Sequence, residues 1–150
     1  MIDHFTLTVR NLQRSKKFYN AALAPLGYRV LMDFGEYVGY GDRKPYLWLK
    51  QGAQATRPMH IAFMAKDRAA VNAFHKAALA AGARDDGKPG VREMYHPNYY
   101  GAFVVELDGH PIEAVCHAPP ASASAKKSAP SKSARKARAK AKAPARKKRR

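Results

Sequence analysis

The sequence predicts an α+β protein of two β-α-β-β-β modules, followed by a disordered basic tail. Three observations predict it. The opening MIDHFTLTV alternates after Asp3, with His4, Thr6 and Thr8 on one side and Phe5, Leu7 and Val9 on the other. That period of two is the mark of a half-buried strand. The same pattern returns in MHIAFMA, where His60 falls 56 positions after His4. Finally, the composition changes abruptly after residue 117.

The repeat runs through each half. Arg10-Asn11 falls on Lys66-Asp67, Phe18 on Phe74, and Ala22-Leu23-Ala24 on Ala78-Leu79-Ala80, while Gly27 meets Gly82 after a one-residue slip. Residues 1–117 therefore read as one domain of two modules, about 1–52 and 57–117. Asn11 caps a first helix through about Ala24, ended by Pro25 and Gly27, with Leu12, Phe18, Ala22 and Leu23 on its apolar side. Asp67 caps the second, with Val71, Phe74, Ala78 and Leu79 facing inward and Gly82 beyond its end.

Strands follow at about 28–33, 36–40 and 45–50, then a weak one near 83–86, then about 99–107 and 111–116. Asp108-Gly109 is the best hairpin signal. A two-residue turn there pairs Val105 with Ile112 and Val104 with Glu113. Phe103, Val105, Leu107, Ile112, Ala114 and Cys116 would share the apolar side, leaving Ala102, Val104, Glu106 and Glu113 on the other. GYG at 39–41 and GKPG at 87–90 read as turns rather than phosphate loops.

The net charge of +17 is unevenly spread. Residues 1–117 hold 15 Lys and Arg against 11 acids, a net of +4. Residues 118–150 hold 13 Lys and Arg and no acid, a net of +13. The tail has no apolar residue larger than Ala except Pro, so it cannot bury enough surface to offset ordering entropy. Its cations suit nonspecific binding to nucleic acid or another polyanion. Without interleaved aromatics, that binding would be sequence-tolerant. The competing reading is a solubilising extension.

Cys116 has no internal disulfide partner, which fits a reducing cytosol. No basic segment leads into an apolar run at the N-terminus, and no apolar stretch approaches the ~20 residues that span a bilayer. The expectation is a soluble cytoplasmic protein with no membrane partner, nucleoid-associated if the tail binds DNA. Cys116 itself reads as an inert packed thiol, and His75, His110 and His117 as surface residues.

His4, His60 and Glu113 lie on the polar sides of their strands. Two histidines and a carboxylate suit a divalent ion with open positions for substrate. That geometry requires the first and last strands of a module to be neighbours. A lone strand histidine is more often structural than a ligand, so the rival is an empty site or a cleft that works without metal.

IDHFTLTVRNLQRSKKFY, the second MHIAF and DGHPIEAV resemble the vicinal oxygen chelate superfamily, which includes glyoxalase I, bleomycin-resistance proteins and extradiol dioxygenases. The resemblance covers nearly all of 1–117. It implies that the paired modules form a half-barrel cleft of the glyoxalase/bleomycin-resistance/dioxygenase type, with metal ligands on the first and last strand of each module. His4, His60 and Glu113 match three of those positions, and the ion would be Fe(II), Mn(II), Ni(II) or Zn(II). The fourth position falls on Trp48, which cannot ligate, and this disfavours glutathione-dependent glyoxalase I chemistry. Trp48 and Tyr46 could instead stack on a planar substrate, or fill the barrel. The resemblance also places VREMYHPNYYG near the cleft mouth, where Arg92, Tyr95, His96, Tyr99 and Tyr100 would orient substrate or shuttle a proton, or else pack over the barrel end. His96, Tyr99 and Glu106 are the candidate catalytic groups; Tyr46, Trp48, Arg92, Tyr95 and Tyr100 are the candidate substrate contacts.

The sequence thus points to a metal-dependent lyase, isomerase or ring-cleaving dioxygenase acting on a small molecule with vicinal oxygens. The alternatives are a metal-free binding protein of the bleomycin-resistance type and a nucleic-acid-associated protein acting through its tail. Relatives pair their modules, so a homodimer is also expected.

Overall fold

The computed structural model describes residues 2–120. The basic tail beyond Pro120, with its expected disorder and polyanion binding, lies outside the described residues. The element order is β1 (Phe5–Val9), α1 (Leu12–Leu23), a 3-10 turn (Ala24–Leu26), β2 (Arg29–Asp33), β3 (Tyr37–Gly41), β4 (Pro45–Gln51), β5 (Ile61–Met64), α2 (Arg68–Ala80), β6 (Arg84–Val91), β7 (Tyr100–Val105) and β8 (Pro111–Cys116).

Both helices start where a side-chain oxygen can take an orphan amide. Asn11 Oδ1 accepts from the Arg14 amide at 2.9 Å, and Asp67 Oδ1 from the Ala70 amide at 2.7 Å. Each is followed by a glycine with positive φ: 86° at Gly27 and 100° at Gly82.

The strands form two four-stranded mixed sheets of identical topology, β1-β4-β3-β2 and β5-β8-β7-β6. In each, the first strand of the module runs parallel to the last. A parallel pair needs a crossover, and the helix with its following strands supplies it. Leu7, Val9, Val38, Tyr40, Leu47 and Leu49 of the first sheet are buried with Phe18, Tyr19, Ala22 and Leu23 of α1. Ile61, Phe63, Ala102, Val104, Ile112, Ala114 and Cys116 of the second join the same cluster with Val71, Phe74 and Ala78 of α2. The opposite faces stay open, and exposed Met32, Phe34 and Tyr37 lie in the first module, Met64, Val91, Met94 and Tyr95 in the second.

Several expectations are corrected. The β7–β8 register is shifted by one residue: Val105 faces Pro111, Val104 faces Ile112 and Phe103 faces Glu113. The loop holds three residues, not two, because the Glu106 amide bonds the His110 carbonyl (2.9 Å) and Gly109 takes φ 97°. The Glu106 carboxylate selects this wider loop by accepting from the Asp108 and His110 amides at 2.9 and 3.0 Å. Ala102 and Val104 therefore face the core, and Phe103 and Val105 share the open face with Glu113.

The glycines read as turns lie in strands. Gly39 and Gly41 belong to β3, and residues 87–90 belong to β6, which reaches Val91 by absorbing two register irregularities. His75 is buried and bonds Asp85 Oδ1 at 3.0 Å. His110 is also buried, and its Nδ1 accepts from the Met59 amide at 3.2 Å.

Phe74→Ala should lower unfolding free energy by about 3–5 kcal/mol, because the ring is fully buried at the α2–sheet contact. Met64→Ser, on the open face, should change it by less than about 1 kcal/mol in the monomer. Urea unfolding of both variants checks the pair.

Candidate metal and substrate site

The parallel pairing of β5 with β8 sets the site. It places Ala62 beside Glu113, and β7 places Phe103 on the other side. The Glu113 side chain lies between these neighbours and is only 2% exposed. Burying a carboxylate is costly unless its oxygens are satisfied, and both are. Tyr99 Oη donates to Oε1 at 2.5 Å, and His60 Nε2 lies 3.1 Å from Oε2. Gly101 leaves room for this arrangement: a Cβ there would come within 3.0 Å of Glu113 Oε1 and 3.2 Å of the Tyr99 ring. Gly101 was not singled out from sequence, since a strand glycine carries no chemistry of its own.

Tyr99 is held by a folded loop. The Arg92 amide bonds the Tyr99 carbonyl at 2.8 Å, and the Tyr99 amide bonds the His96 carbonyl at 3.0 Å. Burial, then the hydrogen-bonded charge of Glu113, pushes the Tyr99 phenol above the ordinary tyrosine range, while Arg92 pulls the other way. Tyr99 is thus a proton donor to Glu113 at neutral pH. His96 Nδ1 accepts from the Asn98 amide at 3.1 Å, so in the neutral ring Nε2 carries the proton and donates it to His117 Nδ1 at 2.8 Å. His96 and His117 both pack against the Tyr99 ring, as does Tyr95 at 4.8 Å.

Two sequence candidates sit elsewhere. Tyr100 turns to the helix side, where its hydroxyl donates to Asn72 Oδ1 at 2.9 Å and Arg68 lies over its ring. Glu106 caps the β7–β8 turn from the core side, which corrects its expected position on the cleft face. Its Oε2 is buried without a hydrogen-bond partner.

The first module carries a different surface at the equivalent place. Trp48 sits beside Thr6 and opposite Gly39, as Glu113 sits beside Ala62 and opposite Phe103. Bulk has been exchanged between strands. A Cβ on Gly39 would press on the indole at 2.9 Å, and Phe34 stacks on that indole at 6.3 Å. Tyr46 packs edge-on to Tyr28 at 6.5 Å. His4 Nδ1 lies 2.9 Å from Asp3 Oδ1, and its side chain is 56% exposed. The His4 hydrogen bond, and then Lys44, hold the Asp3 carboxyl below its ordinary range.

His4 and His60 line one cavity of about 500 Å³ between the starts of β1 and β5, with Phe5, Tyr28, Tyr46 and Met59. His4 does not join the His60–Glu113 pair: no group of three His, Cys, Asp or Glu side chains arranged to hold a metal ion occurs among the described residues. The His60–Glu113 pair offers two donor atoms, Nε2 and Oε2. Its 3.1 Å separation suits two adjacent ligands, since donors about 2.1 Å from an ion at right angles lie about 3.0 Å apart.

A model of the glyoxalase/bleomycin resistance protein/dioxygenase superfamily matches residues 1–114. The chain belongs to that superfamily. A glyoxalase/bleomycin resistance protein from Albidiferax ferrireducens T118 superposes with TM-score 0.67 at 28% identity, covering 77% of this chain and 97% of the other. A glyoxalase I mutant from Zea mays gives 0.60 at 24% identity, over 76% of this chain and 46% of the larger one. The fosfomycin resistance protein FosX from Mesorhizobium loti gives 0.59 at 19%, over 77% and 91%. No match is found among curated proteins. Superfamily members typically act on small molecules, commonly use divalent metals and often form dimers. Among the described residues, no helix is long and apolar enough to cross a membrane.

Tyr99→Phe should leave Glu113 Oε1 unpaired and cost about 1–3 kcal/mol of stability. In a spectrophotometric titration it should remove a phenol that ionises above the ordinary range near pH 10. Loss of a phenol titrating at the ordinary value would contradict the assignment.

Proposed function

We propose that this protein is a metal-dependent enzyme acting on a small molecule with two neighbouring oxygens. The observation that carries this reading is the buried Glu113 carboxylate, bonded on one oxygen by Tyr99 and facing the His60 imidazole with the other. His60 and Glu113 would hold a divalent ion, and His4 would complete the set. The ion would act as a Lewis acid toward the two substrate oxygens.

His4 is best supplied by a second copy of the chain. It precedes β1, in the other module, and bonds Asp3 rather than His60 or Glu113, and the open faces of both modules carry exposed apolar side chains that a paired module would cover.

The remaining roles fall to side chains on the page. Tyr99 orients Glu113 and keeps its charge on a fixed oxygen pair. The His96–His117 pair borders Tyr99 at the surface and can carry a proton from Nε2 to Nδ1. Trp48 stands where a fourth ligand or a proton-accepting carboxylate would lie, so chemistry needing a base there is disfavoured. Lyase, isomerase and ring-cleaving dioxygenase reactions remain compatible.

A second reading, a metal-free small-molecule binder of the bleomycin-resistance type, is favoured by the aromatic surface of Trp48 on Phe34 and Tyr46 on Tyr28. A role in nucleic-acid binding would rest on residues 118–150 alone.

Metal analysis separates the first two readings. The full chain, loaded with Mn(II), Ni(II) or Zn(II), should retain near one ion per chain. His60→Ala, Glu113→Ala and His4→Ala should each lose at least about tenfold in affinity. Mixing His4→Ala with His60→Ala chains should restore roughly a quarter of the sites, because half the dimers are mixed and one of their two sites is intact. Metal-free protein that still binds a planar ligand would support the binding-protein reading instead.

A further inference from the structure

His60 is the exposed member of its pair, with a side chain 54% exposed against 2% for Glu113. It lies one residue ahead of β5, whose ladder with β8 opens at Ile61 and Ile112. Residues 55–60 form no helix or strand. An imidazole at the end of such a segment is aimed only as well as the backbone behind it is held.

Contacts at both ends of the segment hold that backbone. Thr56 is tied to β1, where its amide bonds the Thr8 carbonyl and its hydroxyl accepts from the Thr8 amide, both at 2.8 Å. Met59, the residue before His60, donates its amide to His110 Nδ1 at 3.2 Å. The chain passes over the β7–β8 turn here, since a Cβ on Gly109 would lie 3.9 Å from the Pro58 ring.

His110 is fixed in turn. It is fully buried, its amide donates to Glu106 Oε1 at 3.0 Å, and its carbonyl accepts from the Glu106 amide at 2.9 Å. The Met59 amide requires a lone pair at Nδ1, so the neutral ring carries its proton on Nε2. Nε2 is buried with no hydrogen-bond partner among the described residues. A buried N–H without a partner is unfavourable beside an apolar side chain of similar shape. The bond at Nδ1 is what an apolar side chain could not make.

We propose that His110 is a positioning residue for His60: its Nδ1 holds the Met59 amide, and so sets the direction in which the next side chain leaves for Glu113. One buried ring thereby ties the turn ahead of β8 to the head of β5, and both members of the pair take their places from it. The inference rests on the metal-site reading for its purpose, but the geometry it describes needs no ion.

The test compares three replacements in the full chain. His110→Asn keeps an acceptor oxygen at the place of Nδ1, His110→Gln moves the amide to the place of Nε2, and His110→Leu keeps bulk alone. Mn(II) affinity, read by electron paramagnetic resonance, should fall by about tenfold or more in His110→Leu and His110→Gln. In His110→Asn it should stay within about threefold of the parent. Nitrogen-15 spectra of the parent should show His110 protonated at Nε2 and bare at Nδ1. In the metal-free chain, the ring nitrogens of His60 should shift in His110→Leu and His110→Gln and return in His110→Asn. A loss of affinity in His110→Asn equal to that in His110→Gln, an unchanged affinity in His110→Gln, or a proton on His110 Nδ1 overturns the proposal. The Asn and Gln variants differ by one methylene, so their comparison stands even if His110→Leu does not fold. If the parent binds no Mn(II), the metal reading falls, and the His60 ring signals decide alone. A shift in His110→Gln that His110→Asn restores sustains the proposal, and every other pattern ends it.

Discussion

The parallel pairing of each module's first and last strands is the constraint from which the site follows. Strands remote in sequence become hydrogen-bonded neighbours, so His60 at the head of β5 meets Glu113 in the middle of β8. The pair could not form in a meander, where consecutive strands pair and the first and last sit at opposite edges. The same constraint in the first module brings Thr6 beside Trp48. One backbone plan therefore carries two surfaces, one acidic and hydrogen-bonded, the other aromatic.

Glu113 shows how much neighbouring structure a buried carboxylate requires. It needs the Tyr99 hydroxyl on one oxygen, the small Gly101 to admit that ring, and Phe103 and Ala62 to close its flanks. Tyr99 in turn needs the closed loop from Arg92 to Tyr99. The Glu106 carboxylate holds the hairpin that sets the register of all of them. A slip of one residue there would turn Phe103 into the core and away from Glu113. Residues with no contact to a reacting atom thus decide whether the site exists.

The two modules divide the chemistry unequally. Gly39 and Trp48 in the first occupy the places of Phe103 and Glu113 in the second, so large and small side chains have changed strands while the sheet is preserved. His4 keeps the position of His60 but pairs with Asp3 and stays exposed. The His60–Glu113 contact thus has no counterpart at His4 in the first module. The open faces of both modules carry exposed apolar side chains.

Local pattern by itself determined the strands, the two capped helices, the repeat and the polar placement of His4, His60 and Glu113. Alternation, Asx caps and glycine stops are properties of neighbouring residues. Family resemblance then tied Trp48 to the missing ligand position. The tertiary structure decided what depends on contacts across the chain. It also set the hairpin at three residues, through the Glu106 carboxylate, which folds back onto the amides two and four residues on. It buried His75 and His110, turned Tyr100 toward α2 and Tyr99 toward Glu113, and seated Arg92 between two strand glycines and a ring. None of these is legible from periodicity, since adjacent tyrosines in one loop look alike until the sheet register sends them to opposite faces.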